Sequence, residues 1–407
     1  MGKLKRIQQR ITKWKPFYAS GNQVPSNGQQ KILYLVACLG GMLPICNLAM
    51  ISSSYLALSG SLNADFVDLG RLVLTNVVIM AIVQPLVNYF HAWLGLRYAL
   101  LFAHVCIMLG GIGASSSTTL LSLSLCYSLM GFGSGLFMSL SVRIIATLFP
   151  PQSRKILIAI WTLCIGFGSN ASPALAGYLV EFLTWHSLFL MGPIFVLPCF
   201  IAVLFLLPDH SLPPLPPFDG CSLLFFFIFS ASTLTAICYG QLWGWDSNRI
   251  ISILFIGASA LFVCVVSSCS NASPLLHVKA LRYKGVALAL IAAVFAIVVH
   301  VGIRVEMILF MRNVMNYPPS QIGMMYIIPL FVFMAVLVPV GIILTTHDNG
   351  KPFALTGFVI MFTAAFMLSH LDSHPGWMQI TLPLVLSSIG FAMTSASMTS
   401  LLLRNVP

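Results

Sequence analysis

The sequence predicts an all-α polytopic membrane protein of about twelve transmembrane helices. Three observations carry that prediction. Hydrophobic residues make up 58% of the 407-residue chain and charged ones only 7%, where an ordinary soluble domain has about a quarter of its residues charged. The apolar residues gather in runs near the length, roughly 20 residues, that carries a helix across a hydrocarbon core. The basic residues occupy the short polar gaps between runs, which is how topology signals are placed. The runs cover approximately 32 to 58, 71 to 90, 97 to 115, 120 to 147, 156 to 180, 186 to 207, 221 to 241, 250 to 269, 285 to 311, 321 to 345, 352 to 370 and 378 to 403.

The same pattern excludes other classes. A formal charge of +11 would suit nucleic acid if it formed a patch, but here it is dispersed beside apolar runs, so no nucleic-acid partner is expected. The ten cysteines contain no CxxC pair and lie mostly within apolar runs, which indicates neither disulfides nor a zinc site. No metal or other cofactor is expected. Ser134 stands between Gly133 and Gly135, and with the distant His300 it could imitate a serine dyad. The glycines have a packing explanation, however, and no enzyme is expected.

In chain order, residues 1 to 31 form a basic tail. Leu4, Ile7, Ile11 and Trp14 make one helical stripe with lysines and arginines around it, which reads either as a short interfacial helix on an anionic leaflet or as a tail that only sets topology. About thirty polar residues precede the first apolar run, and no signal-peptide cleavage site follows a short one, so the N-terminus is expected to be kept. The first helix carries Asn47 and Tyr55, the second Asn76 and Gln84, and the fourth Tyr127. Between the second and third runs, Asn88 to Gly95 form a turn, with Gly95 as its glycine.

The fourth and fifth runs hold the strongest pattern. Gly131, Gly133 and Gly135 stand two apart in the fourth, and Gly166, Gly168, Pro173 and Gly177 mark the fifth. Each interior glycine costs about 1 kcal/mol relative to alanine in a soluble helix, whereas in a membrane small residues allow close backbone approach. The two helices are expected to pack with their glycine faces in contact. Met130, Gly131, Phe132 and Gly133, then the turn Phe149, Pro150, Pro151 with Arg154 and Lys155, then Ser172 through Gly177, appear in an order and spacing that resemble the major facilitator superfamily. Within it they resemble the fourteen-helix drug:proton antiporter branch, with its Arg-x-x-Gln-Gly-x-Gly and Gly-Pro-x-x-Gly-Gly motifs.

That resemblance implies two helix bundles and alternating access. The chain then divides into the tail 1–31, an N-terminal six-helix bundle 32–207, a proline-rich linker 208–220, an extra hairpin 221–270 and a C-terminal part 271–407 of four helices. The branch would continue through two further helices. The hairpin turn Gly240 to Asn248, with Trp243 and Trp245, resembles that branch's Trp-rich turn, although ordinary interfacial anchoring explains the tryptophans equally. Leu309 to Gly323 resembles the turn after the ninth helix, where Arg312 stands at a usual Gln and Asn316 at a usual Gly. Because the first, second and fourth helices line the cavity in this superfamily, Asn47, Tyr55, Asn76, Gln84 and Tyr127 are substrate-cavity candidates. A satisfied interhelical hydrogen bond is the competing reading for each.

Other positions depart from the branch. Met50 stands where an Asp is common, Ala92 and Trp93 replace the Asp and Arg of the loop between helices two and three, and Tyr127 replaces the fourth-helix Arg. The charge pair that helps latch the gate is therefore missing, and proton coupling needs another group. Glu306 lies in the ninth helix with His300 and Arg304, and charges within a membrane are functional by default. At 100° per residue His300 and Arg304 share a face, while Glu306 points about 200° from Arg304. The three are proton-coupling candidates, with Glu306 or His300 taking the proton; snorkelling of Arg304 and Glu306 to the outer surface is the alternative.

With the N-terminus inside, sixteen of the twenty basic residues fall on the inner side and only Arg71, Arg249 and Arg312 on the outer. The positive-inside rule then puts both termini in the cytoplasm, and the resemblance implies a bacterial inner membrane. The expected partners are the lipid bilayer, a small-molecule substrate and protons. Function reads as secondary active export of small organic or drug-like compounds; the competing reading is a relative that inserts without a transport cycle.

Overall fold

The computed structural model describes residues 26–62, 64–208, 219–271, 278–346, 350–372 and 375–405. The interfacial helix expected within Lys3 to Pro16 and most of the linker 208–220 lie outside them. Thirteen α-helices occur among the described residues: α1 Asn27–Ser53, α2 Tyr55–Leu62, α3 Phe66–Ser115, α4 Leu120–Leu148, α5 Pro151–Phe182, α6 His186–Leu206, α7 Gly220–Trp243, α8 Asn248–Ser270, α9 Lys284–Asn313, α10 Pro319–Met325, α11 Ile327–Thr346, α12 Lys351–Ser369 and α13 Trp377–Asn405. Taking α10 and α11 together, eleven of them are long and apolar enough to cross a membrane.

The twelfth crossing is contained in α3. Its 50 residues are interrupted at Gly95, whose φ of 80° and ψ of 166° no helix contains. That region excludes side chains with a Cβ, so the glycine of the expected turn is where the chain turns back. The two arms correspond to the second and third apolar runs.

Helix ends are set locally. Thr119 accepts from the Ser122 amide in a capping box at the start of α4, and Asp219 and Ser247 accept from Ser222 and Ile250 at the starts of α7 and α8. Each replaces a partner that the first helical turn lacks. The turn after α9 is shaped by Asn316, which has a φ of 55°, and by Arg312, whose Nη1 donates to the Tyr317 carbonyl at 3.0 Å. Asparagine tolerates that left-handed conformation better than other residues with a Cβ, and a β-branched residue does not. Asn316→Gly should leave thermal unfolding in detergent unchanged or slightly raised, whereas Asn316→Val should lower stability by about 1–2 kcal/mol.

Packing divides the chain into two compact units. The first comprises Met1–Pro44, Ala64–Thr162 and Phe189–Leu276, and the second Ile45–Asn63, Leu163–Leu188 and His277–Pro407. Helices α1, α5 and α6 each contribute to both, so the units are not consecutive stretches of chain. The hairpin α7–α8 packs in the first unit, partly against α3.

In the first unit α4 is clasped by both arms of α3. Residues four apart on a helix share a face and residues two apart do not. Gly131 and Gly135 accordingly meet the first arm, where a Cβ would fall 2.6 Å from the Asn76 side-chain nitrogen and 2.8 Å from the Met80 carbonyl. Gly133 meets the second arm, 2.6 Å from the Ala103 carbonyl. The expected contact between the glycine faces of the fourth and fifth helices is therefore not what these glycines make. On α5, Gly166 faces Phe333 of α11, and Gly177 faces the Pro319 carbonyl of α10. Alternating spacing distributes the small residues over several neighbours instead of one.

At one end of α4, Arg143 donates to the Asn88 side-chain oxygen of α3. This contact joins α4 to the arm of α3 that leads to Gly95.

The second unit is centred on α9 and α13. Ile303, Met307 and Met311 of α9 pack with Ile322, Met325 and Tyr326 and with Ile380 and Leu384 of α13. Helices α12 and α13 cross where Gly357 and Gly390 face each other, a Cβ on either falling within 2.7 Å of the other's carbonyl oxygen. The sequence reading did not single out that pair.

Candidate functional site

The densest polar cluster within the membrane-length helices of the second unit surrounds Arg304. The buried face of α9 runs through Ala296, His300, Ile303, Arg304, Met307 and Met311, a stripe that follows from 3.6-residue periodicity. His300 and Arg304 lie one turn apart on it, as their spacing predicts, and are 1% and 7% exposed.

Arg304 is held by neutral groups. Its Nη2 donates to the Ser169 carbonyl at 2.7 Å and is 3.5 Å from the Ser172 hydroxyl, and its Nη1 donates to the Ser169 hydroxyl at 3.3 Å. The Tyr326 ring lies beneath the guanidinium, 5.6 Å from its carbon, while the Tyr326 hydroxyl donates to the Arg304 carbonyl at 2.9 Å. Ser169 and Ser172 are three apart on α5, so both reach the same neighbour. Among the described residues no carboxylate lies within ion-pair distance of Arg304, the one such pair being Arg71 with Asp68. The Nε of Arg304 is buried without a hydrogen-bond partner.

His300 stands beside it. Its Nδ1 is 3.0 Å from the Ser387 hydroxyl of α13, and its ring stacks on Phe391 with centroids 4.2 Å apart and planes at 3°. Phe391 in turn stacks on Phe333 at 6.0 Å. The Nε2 of His300 is the second buried nitrogen here without a partner. Unsatisfied buried polar atoms cost about 1–3 kcal/mol each, so these two nitrogens mark a place that something polar can improve.

Further along the same row of α9, Ile308 and Arg312 line a cavity of about 140 Å³ with Ser53, Ser54, Pro173 and Gly177. Beyond it, Glu181 of α5 accepts from the Ser320 amide in the first turn of α10 at 2.8 Å. That bond and the approach of Gly177 to Pro319 hold α5 and α10 together at this end.

Glu306 lies apart from His300 and Arg304. It is exposed, on the flank of α9 shared with Leu288 and Phe295, both also exposed. Asn47 and Asn76 are buried, their side chains donating to the carbonyls of Leu188 at 3.0 Å and of Tyr127 at 2.7 Å. Those are the interhelical bonds that were the competing reading. Tyr127 is buried against Phe189, Gln84 and Tyr55 are half-buried, and Gly168 is buried within α5. Sequence reading missed Tyr326, Ser387 and Phe391 as members of the site. The usable signal was the polar pair Ser169 and Ser172, set beside the glycines of α5.

Comparison with known proteins agrees with the architecture. The sequence is 22% identical to the uncharacterized MFS-type transporter YhcA of Bacillus subtilis over 376 residues, 90% of this chain and 69% of that protein. It is 26% identical to the multidrug resistance protein Stp of Mycobacterium tuberculosis over 306 residues, 74% of this chain and 56% of that protein. Identity to the putative multidrug resistance protein MdtD of Escherichia coli is 23% over 383 residues, 92% of this chain and 79% of that one. The chain thus spans between about half and four fifths of the length of these relatives.

Among solved structures, the partially occluded inward-open conformation of the xylose transporter XylE from E. coli superposes with a TM-score of 0.57 at 17% identity, over 92% of this chain and 87% of that one. At that identity the likeness is one of fold. The sequence profile of the Major Facilitator Superfamily matches residues 37–407; this integral membrane chain, with eleven membrane-length apolar helices among its described residues, belongs to that superfamily of transporters.

Proposed function

We propose that the chain is a secondary active transporter that exports small organic compounds across a bacterial inner membrane by alternating access. The observation that carries this reading is Arg304, a cation buried among neutral groups in a membrane protein. Such a charge costs at least about 2.5 kcal/mol at mid-bilayer, and helix packing alone gives no reason to bear it. Relatives named as multidrug resistance proteins support export, and so does the resemblance to the fourteen-helix antiporter branch. The unequal distribution of basic residues supports cytoplasmic termini.

Of the three coupling candidates, His300 and Arg304 share the buried face, and the exposed position of Glu306 favours the snorkelling alternative. Coupling is therefore assigned to His300, with Arg304 beside it. In proteoliposomes under an imposed pH gradient, the parent chain should drive uphill flux of organic compounds, and Glu306→Gln should retain most of it while His300→Gln loses it. A parent that inserts and folds but never moves a compound above the empty-vesicle rate would favour the non-cycling reading. Loss of gradient-driven flux in Glu306→Gln alone would return the coupling role to Glu306.

A further inference from the structure

We infer that the Arg304 cluster is a binding site for the carboxylate of an amphipathic organic anion, so that the cargo class is aryl or alkyl carboxylates and not lipophilic cations. The cargo part of this rests on the transport reading above; the binding part is measurable without flux.

Charge comes first. Arg304 and Arg312 follow one another at eight residues along one face of α9, with Ile308 between them. Neither has a carboxylate within ion-pair distance among the described residues. Of the nearby acids, Glu181 accepts from Ser320 and acts at longer range on Arg312, and Glu306 lies on the exposed flank. Glu181 partly offsets the charge of Arg312, but a lipophilic cation beside Arg304 would meet a like charge, whereas an anion there would meet a buried positive charge with no carboxylate in ion-pair reach.

Hydrogen-bonding capacity points the same way. The two Nη atoms of Arg304 are occupied by Ser169 and Ser172, but its Nε–H has no acceptor. When the His300 Nδ1 accepts from Ser387, its Nε2 carries a hydrogen and also lacks an acceptor. Arginine has donors only. The Arg304 Nε–H, a buried donor without an acceptor, and in that tautomer His300 Nε2–H call for a ligand with acceptor atoms, and a carboxylate offers two oxygens in the geometry that guanidinium matches best. A cationic ligand offers none.

The surroundings define the rest of the molecule. Phe391, Phe333 and the Tyr326 ring pack around the two nitrogens, and Ile303 and Ile308 are buried on the same side of α9. Space for an aromatic or aliphatic body lies one turn along, beside Ile308 and Arg312, with its carboxylate directed along the same row of α9 toward Arg304. The cavity one turn along, about 140 Å³, is smaller than the roughly 300 Å³ of the smallest drug-sized pockets. It suits a head group or a one- or two-ring acid.

Three probes of nearly equal shape test the assignment on the full chain purified in detergent: 2-naphthoate, neutral 2-naphthamide and 2-naphthylmethylammonium. Naphthoate should bind at least tenfold more tightly than the other two by calorimetry and should raise the melting temperature in a concentration-dependent way. Arg304→Met should erase that preference, and Arg304→Lys should retain part of it. Should Arg304→Met fail to fold, the three-probe comparison on the parent still decides. Equal affinities, tighter binding of the ammonium probe, a folded Arg304→Met that keeps the preference, or sodium chloride stabilising as much as naphthoate would each overturn the assignment. Naphthoate binding without flux in liposomes would support the site and refute transport. Flux of the ammonium probe without naphthoate binding would do the reverse.

Discussion

Gly177→Leu should abolish folded protein, or leave a form that aggregates when extracted from the membrane. A Cβ at this position would run into the carbonyl oxygen of Pro319 and stand 2.9 Å from its carbonyl carbon. Across the same contact, a Cβ on Gly323 would lie 3.0 Å from the Ala174 Cα. The atoms in the way are backbone on both sides, so no side chain can rotate to make room, and α5 and α10 would have to separate. Overpacking a well-packed site costs about 1–3 kcal/mol when side chains can adjust, so a backbone contact belongs at or above the top of that range. Gly302, where an added Cβ meets nothing within 4 Å, is the control: Gly302→Leu should express and melt like the parent. Monodisperse elution in detergent distinguishes the outcomes, and normal behaviour of Gly177→Leu would mean that the approach of α5 to Pro319 is not required for folding.

Arg304→Met should make the chain more resistant to heat. Methionine fills a similar volume, and removing the cation leaves little unsatisfied, because the Ser172 hydroxyl already donates to the Ser169 carbonyl at 2.6 Å. Replacing buried charged groups by apolar ones is often neutral or stabilising by about 1–4 kcal/mol, and a gain in that range should appear as a higher melting temperature in detergent. A large fall would instead make Arg304 part of the structural core. Stability gained as function is lost is the pattern expected of residues kept for chemistry.

The helices were legible because membrane length and composition leave little choice: each of the twelve apolar runs became a helical arm. Gly95 was legible as the turn between two of them, since a tight reversal needs a residue without a Cβ. Partners were harder to read. Gly131, Gly133 and Gly135 announced close contacts but not with what, because a helix in a bundle has neighbours on every side and one-dimensional spacing fixes only the angle between contacts. The face shared by His300 and Arg304 came directly from helical periodicity. Their surroundings did not, since Ser169, Tyr326 and Ser387 are separated from them by between 22 and 135 residues. Glu306 drew attention as an acid within an apolar run, and its angle of about 200° from Arg304 already placed it on another face.

The reversal of α3 at Gly95 bears on how the chain is made. Both arms come before α4 in the chain, and the helix is interrupted between them only at Gly95. Helix α4 is synthesised afterwards and touches both arms, through Gly131 and Gly135 on one side and Gly133 on the other. The chain can thus complete this three-way contact only once α4 has been made, and its small residues set how closely each arm can approach it.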